Sequence, residues 1–446
     1  MSSTTTTGAD LLRRQRLGWY AYGWASHVFP TVVITVFMGR YLEAVAGDAA
    51  GGADGRIHLA GIPVRPGSLF VYTISACTVL LVALMPVVGA IADRTGRKRE
   101  IMLGFGYAGA LSCALMWFVR GQNWQLGAAL FAVAYISYSC AFVVFHALLI
   151  DLSQAAERDR ISSFGWATGY LGGGLLLAAD LVGSFVLDDR RLLARLALST
   201  AGLWWALFAL PAGRWLRGEL RNSNPRPTDG PVLLAGFRQL RRTFGRLRNY
   251  PITLYFLVAF LVYNDGIQTV TTVAAQYGES ELKLSESTLL SAILLVQFVA
   301  FGGALWLGRL AGRFGAKRVV LGSLVAWTIL VIGAYFLKAG AAVPFYLYAV
   351  LIALVLGGSQ ALSRSMFSHL VPAGEEAEYF GLYEVSDSGT SWLGPLLFGL
   401  ALQTTGSYRT ALVSLVVFFA LGGALLAGVP VRRGIEAVGN AVPERL

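Results

Sequence analysis

The sequence predicts an all-α membrane protein whose twelve transmembrane helices form two six-helix bundles. Three observations predict it. The chain is 56% hydrophobic and 14% charged, whereas soluble domains are about 25% charged. Its apolar residues fall into blocks of about 20 residues or more, long enough to cross a ~30 Å hydrocarbon layer as a helix. Finally, a short basic turn, Gly89-Ala-Ile-Ala-Asp-Arg-Thr-Gly-Arg-Lys-Arg99, returns half a chain later as Gly308-Arg-Leu-Ala-Gly-Arg-Phe-Gly-Ala-Lys-Arg318. Within lipid only helices or closed barrels satisfy the backbone polar groups. These runs are too long and too continuously apolar for barrel strands.

Taken in order, the first span is Leu17–Leu42. It is retained because no short apolar core with a small-residue cleavage site follows the polar start. Ser68–Ala92 and Ile101–Val119 flank the first basic turn. Gln125–Ile150, Ile161–Leu187 and Leu192–Leu216 complete the first bundle, residues 17–216, with Asp188-Asp189-Arg190-Arg191 as an external turn. Residues 217–250 form a cytoplasmic linker. There Leu233, Phe237, Leu240, Phe244 and Leu247 recur among arginines at helical spacing, which predicts an amphipathic helix on the membrane surface. The second bundle, residues 251–430, comprises Ile252–Tyr277, Ser287–Leu310, Val319–Leu337, Val343–His369, Tyr379–Gln403 and Tyr408–Val429. Residues 1–16 are expected to be a disordered cytoplasmic N-terminus and 431–446 a cytoplasmic tail.

An even number of spans puts both termini on one side, and Arg13, Arg14 and Arg16 make that side cytoplasmic. Most of the 36 Lys and Arg fall there: both basic turns, Arg158, Arg160, the linker, Arg364 and the tail. A second, looser repeat, Leu148–Glu157 against Met366–Glu375, leaves corresponding spans of the two halves and supports an internal duplication.

The same placement excludes nucleic acid as the reason for a net charge of +11, because the cations sit at span ends. Cys77, Cys113 and Cys140 all lie inside spans and form no C-x-x-C pair, so neither a disulfide nor a metal site is expected. Gly104-Phe-Gly-Tyr-Ala-Gly109 spells G-x-G-x-x-G, but without a preceding strand it reads as close helix packing rather than dinucleotide binding. No phosphate-binding loop and no constellation of acid, base and nucleophile is visible. An enzyme is not expected, and no cofactor is expected.

Polar residues inside the spans carry the functional reading. Asp265 lies midway along its span, where an Asp costs about 2.5–3.5 kcal/mol on insertion scales and therefore faces a cavity or a partner. With Asn264, Gln268 and Thr272 it makes one polar stripe. The expectation is that Asp265 carries a proton or binds a substrate amino group; the alternative is a structural hydrogen bond. In the first span Tyr20, Trp24, His27, Thr31 and Thr35 share a face, and His27 either relays protons or donates to a neighbour. Asp180 and Asp387 lie within spans. Glu384, nearer a cytoplasmic end, reads as a solvated gate residue, and His146 as structural.

The first basic turn resembles the loop signature of the major facilitator superfamily, G-x-x-x-D-R-x-G-R-[KR]-[KR], and matches it at every fixed position. In the second copy Gly312 replaces the Asp and Ala316 an Arg. Within the superfamily the chain looks most like the branch named for the autophagy-related vacuolar amino-acid effluxer. Gly18-Trp-Tyr-Ala-Tyr-Gly-Trp-Ala25, Tyr263-Asn-Asp-Gly266 and Leu393-Gly-Pro-Leu-Leu-Phe-Gly399 carry that likeness. That branch reads Tyr-Asp-Trp-Ala-Asn in the first span; here Gly23 and Ser26 replace the Asp and the Asn, so a first-span acid is not carried over.

The resemblance implies a monomeric secondary transporter in the lipid bilayer that works by alternating access. Its first and seventh helices line a central cavity. The gating turn is Gly89, Asp93, Arg94, Gly96, Arg97 and Lys98, with Arg313 in the second copy. Asp93 and Arg94 are expected to lock onto the cytoplasmic start of the eleventh span, around Tyr379–Gly381, where a helix N-terminus favours a carboxylate. The expected partners are a small-molecule substrate, an amino acid or similar solute, and a proton or another coupling ion. The expected location is a bacterial inner membrane. The alternatives are proton-driven drug or metabolite export on the same fold, and a non-transporting receptor or scaffold.

Overall fold

The structure is a computed structural model and describes residues 3–52, 55–59, 61–217, 249–388 and 393–445. The expected amphipathic linker helix lies outside these residues. Among them, eleven helices are long and apolar enough to cross a membrane.

The first half contains α1 (Ser3–Ser26), a π-helical stretch (Phe29–Phe37), α2 (Met38–Ala50), α3 (Leu69–Thr95), α4 (Lys98–Leu115), α5 (Trp124–Leu152), α6 (Arg158–Val186) and α7 (Arg190–Trp215). The second contains α8 (Pro251–Ser280), α9 (Glu286–Phe314), α10 (Ala316–Ala334), α11 (Ala342–His369), α12 (Glu376–Ser388), α13 (Leu393–Thr405), α14 (Tyr408–Ser414), α15 (Val416–Gly428) and α16 (Val431–Ala437). Six of the eleven lie in the first half and five in the second, where α12 and α13 together make the remaining span. The halves meet through α3 and α5 against α12, and through α6 against α9 and α11.

Four features depart from the sequence expectation. The polar start is helical from Ser3, because extending a formed helix adds one hydrogen bond per residue fixed and avoids the cost of nucleation. The first span widens into a π-helix around Pro30, whose ring lacks an N–H and crowds the preceding turn. A short antiparallel hairpin, β1 (Ile57–Leu59) with β2 (Ile62–Val64), pairs Ile57 with Val64 in the loop before α3. The eleventh span is divided into α12 and α13, of 13 residues each. At 1.5 Å per residue each covers about 20 Å, too short to cross alone.

The two basic turns are built alike. Gly96 ends α3 with φ +65°, and Gly315 sits between α9 and α10 with φ +88°; only glycine enters that region without strain. The glycine that opens each turn lies where a helix crosses to the other half. A Cβ at Gly89 would stand 2.1 Å from the carbonyl oxygen of Ala377, and one at Gly308 2.5 Å from the hydroxyl of Ser163. Two glycines of the G-x-G-x-x-G run serve packing: Gly106 meets Tyr22 and Gly109 meets Trp205.

Both termini lie on one side, here the terminal side. Gln15 donates to the carbonyl of Arg217, and Asn440 to those of His369 and Val371. On this side the halves are pressed together. Ser139–Leu152 of α5, Val355–His369 of α11 and Glu376–Glu384 of α12 are buried without a break. Beyond them burial becomes mixed, and Val385, Ser386 and Asp387 are only partly buried.

Candidate functional site

Four polar layers cross from one half to the other, beginning at the terminal side. In the outermost, Lys98 at the start of α4 is 1% exposed. Its Nζ stands 3.2 Å from Asp93, 3.1 Å from Asp151 and 3.1 Å from Glu376. Asp93 in turn accepts the backbone N–H of Glu378 at 2.9 Å. That N–H lies in the first turn of α12, whose free N–H groups favour an anion. Burying one ammonium among three carboxylates is tolerable because each charge is paired and hydrogen-bonded.

The contact expected between the first basic turn and the start of the eleventh span is made one residue earlier than expected. Asp93 reaches Glu378, just before Tyr379–Gly381, and Lys98 carries charge across the halves to Glu376. Arg94 is half-buried and Arg97 exposed. The second copy does not repeat this layer. Gly312 has no carboxylate, Arg313 is exposed, and Lys317 donates to the carbonyls of Ala427 and Val429 at 2.8 Å.

The second layer joins α6 to α11. Arg158 donates to the carbonyl of Ser368 at 3.1 Å, and Ser162 to that of Ala361 at 2.6 Å. Arg364 donates to the hydroxyl and carbonyl of Ser162 at 3.0 and 2.8 Å. The Arg364 guanidinium lies 5.3 Å from the ring centre of Trp19, 5.5 Å from that of Trp166 and 5.9 Å from that of Phe145. Such faces attract a cation, the more so where water is absent. Arg364 was read from the sequence as a boundary cation. The structure buries it to 1% exposure, with no direct ion pair among the described residues; Glu384 and Tyr383 act on it through space.

In the third layer His146 Nδ1 lies 2.5 Å from Glu384 Oε1. Both are buried. This corrects the reading of Glu384 as a solvated gate residue: α12 enters the protein at its first turn, so its terminal-side half is covered by α3 and α5.

The fourth layer centres on Asp387, one turn beyond Glu384 on the same helix face. Asn264 donates to Asp387 at 2.6 Å and accepts from Gln360 at 2.7 Å. Gln268 also hydrogen-bonds this carboxylate, and Tyr135, Tyr138 and Tyr170 of the other half lie within its electrostatic reach.

Asp265 is not part of this layer. Its Oδ2 accepts the backbone N–H of Gly394 at 2.7 Å, at the start of α13. Consecutive residues of a helix point about 100° apart, so Asn264 and Gln268 share a face from which Asp265 is turned away. The expected single stripe is thus two stripes. Asp265 does the work of a helix N-cap from a neighbouring helix.

The first-span face is divided as well. Tyr20 packs edge-on against Phe164, and Trp24 stacks on Trp204 of α7. His27 donates from Nδ1 to the carbonyl of Gly23 at 2.9 Å and lies against Phe142 and Trp166. Within the π-helix Thr31 is buried while Thr35 is exposed and donates to the carbonyl of Pro30. A π turn holds more residues than an α turn, so the 4-3-4-4 register does not continue. Asp180, buried on α6, has one carboxylate oxygen without a partner among the described residues and stands apart from the layers.

Sequence reasoning left out Asp151, Glu376, Gln360, Ser162 and Arg364. Gln360 carried a signal, since it lies well inside an apolar span. The others acquire meaning only from the helix opposite.

The described residues contain no group of three or more His, Cys, Asp or Glu able to hold a metal.

A family model described as vacuole effluxer Atg22 like matches residues 12–439. A Bacillus subtilis protein named as an uncharacterized MFS-type transporter, YxiO, is 30% identical over 424 residues, covering 94% of this chain and 95% of its own. Autophagy-related protein 22 of Yarrowia lipolytica is 27% identical over 459 residues, covering 84% of this chain and 77% of its own. Among solved structures, the proton:xylose symporter XylE superposes with a TM-score of 0.70 at 14% identity, covering 95% of this chain and 96% of its own. A bacterial homologue of the iron transporter ferroportin in an outward-facing state gives 0.66 at 13% identity, covering 94% and 98%.

Proposed function

This chain belongs to the Atg22-like vacuole effluxer family and has the major facilitator transporter fold; from that premise we propose that it carries a small solute bearing a protonated amine, coupled to protons. The observation that carries the reading is Asp387. It is the carboxylate at which the continuous burial of the terminal side gives way, it is held by Asn264 and Gln268, and tyrosines of the opposite half lie within its electrostatic reach. A carboxylate fixed by amides suits an ammonium group better than an apolar drug.

One turn nearer the terminal side, Glu384 and His146 form a pair able to share a proton, and that pair spans both halves. Rocking of the halves would part it and offer its proton to the other side, so movement of the proton and of the bundles becomes one event. The cations gathered around the termini favour a cytoplasmic terminal side. On that assignment the structure is closed to the cytoplasm. Proton-driven export of a drug or metabolite is the competing reading, and the aromatic box around Arg364 is the observation that favours it.

The test is uptake into proteoliposomes under an imposed proton gradient, with labelled amino acids and amines against apolar drugs. We expect accumulation of an amine-bearing solute that Asp387→Asn abolishes. Full accumulation in that variant, or transport of apolar cargo alone, would overturn the reading.

A further inference from the structure

The terminal side carries a second charged feature, away from the polar layers. Arg313, Phe314 and Arg318 at the turn between α9 and α10, Arg432 on α16, and Val442–Arg445 of the tail line a cavity of about 440 Å3. That size falls within the range of about 300–1,000 Å3 for small-ligand sites. The tail is drawn into place by Arg445, whose guanidinium donates to the carbonyl of Gly312 at 3.0 Å and to that of Arg313 at 3.3 Å. Those carbonyls belong to the last turn of α9, where a cation complements the helix dipole. Arg445 thus holds the tail beside the cavity; Arg432 is bridged to Glu436 at 3.4 Å, and Arg313 and Arg318 supply the remaining charge. Against four arginines the lining holds one acid, Glu444.

We infer that this cavity binds the phosphate group of an anionic phospholipid headgroup. Planar guanidinium groups match phosphate oxygens in pairs. The depth is right for a headgroup, because the cavity lies at the end of α9, the start of α10 and the segment just after α15, all ends of membrane-crossing helices. Phe314 on its rim is 56% exposed, an apolar surface beside the charge, as an acyl chain requires. A basic pocket between helix ends on the cytoplasmic side is a known setting for anionic lipid. The site lies in the degraded copy of the basic turn, where Gly312 stands in the place of Asp93 and offers no carboxylate to repel an anion.

The experiment uses the purified full chain in detergent and reads the thermal shift on titration with short-chain phosphatidylglycerol, phosphatidylcholine or inorganic phosphate. A ligand that binds the folded state raises its apparent stability by mass action. We expect phosphatidylglycerol to raise Tm and phosphatidylcholine to leave it unchanged. The double variant Arg318→Gln, Arg432→Gln should lose the rise. A control, Arg13→Gln with Arg14→Gln, removes the same charge from exposed positions on the same side and should keep it. A rise with inorganic phosphate alone, lost in the same double variant, would keep the cavity as a phosphate site and overturn its assignment to lipid. An equal rise in both double variants, or no rise with any phosphate-bearing probe, would overturn the site altogether.

Discussion

His146 and Glu384 are 238 residues apart and belong to opposite halves, yet His146 Nδ1 stands 2.5 Å from Glu384 Oε1 in a buried layer. The pair cannot persist when the halves part on the terminal side. Glu384→Gln keeps the shape and removes the titrating group. Accumulation against a gradient should disappear, while exchange of substrate down its gradient continues. Counterflow and proton-driven uptake in the same proteoliposomes separate the two; normal uphill uptake in this variant would deny Glu384 a coupling role.

Lys98 is the charge that ties the halves together. Lys98→Met removes from Asp93, Asp151 and Glu376 the ammonium that all three share. Removing one partner from a buried ionic cluster costs about 3–5 kcal/mol. The closed terminal side should loosen, and a cysteine introduced at Ser365, buried in the layer below, should become reactive to an impermeant thiol reagent. The measurements are thermal unfolding and labelling rate. Unchanged values in both would mean that backbone packing alone holds the closure.

The two crossing glycines should respond unequally. At Gly89 the added methyl of Gly89→Ala meets a backbone oxygen at 2.1 Å, which cannot turn aside. At Gly308 the first obstacle is the Ser163 side chain at 2.5 Å. Overpacking costs about 1–3 kcal/mol, and Gly89→Ala should lie at the upper end, with Gly308→Ala below it. Comparison of the two melting temperatures checks this; equal losses would show that the α3–α12 crossing is no tighter than the α6–α9 crossing.

Asp265 should behave as a cap. In Asp265→Asn the amide oxygen still accepts from Gly394, so stability and uphill transport should remain near wild type. Asp265→Ala removes the acceptor and should cost about 0.5–2 kcal/mol, the range for lost caps. A transport-dead but stably folded Asn variant would return Asp265 to the coupling machinery.

Much of this was legible from local pattern. Runs of apolar residues, the basic turns and their repetition half a chain apart depend only on composition and spacing. They led to the all-α class and the duplication before any coordinate was needed; the superfamily came from the resemblance of the first turn to a known loop signature. The turn glycines were legible too, because a tight reversal between two helices demands a positive φ at Gly96 and Gly315. The polar stripe on the seventh span was only half legible. Spacing places Asn264 and Gln268 on one face, but which face meets Asp387 and which meets the start of α13 depends on the rotation of the helix in its bundle, and packing sets that rotation.

By itself, then, the sequence determined that the chain crosses the membrane many times as helices, where its basic turns lie and that the pattern occurs twice over, because the bilayer acts on each segment separately and reads only its length and polarity. Tertiary structure decided what the buried charges do. Lys98 is an ion-pair centre because Asp151 and Glu376 arrive from distant segments. Arg364 is an interior cation because three aromatic rings close around it. Glu384 is a pair member because α5 presents His146. A charge inside a membrane protein takes its role from the partner that pays for its burial, and partners hundreds of residues away leave no mark on local sequence.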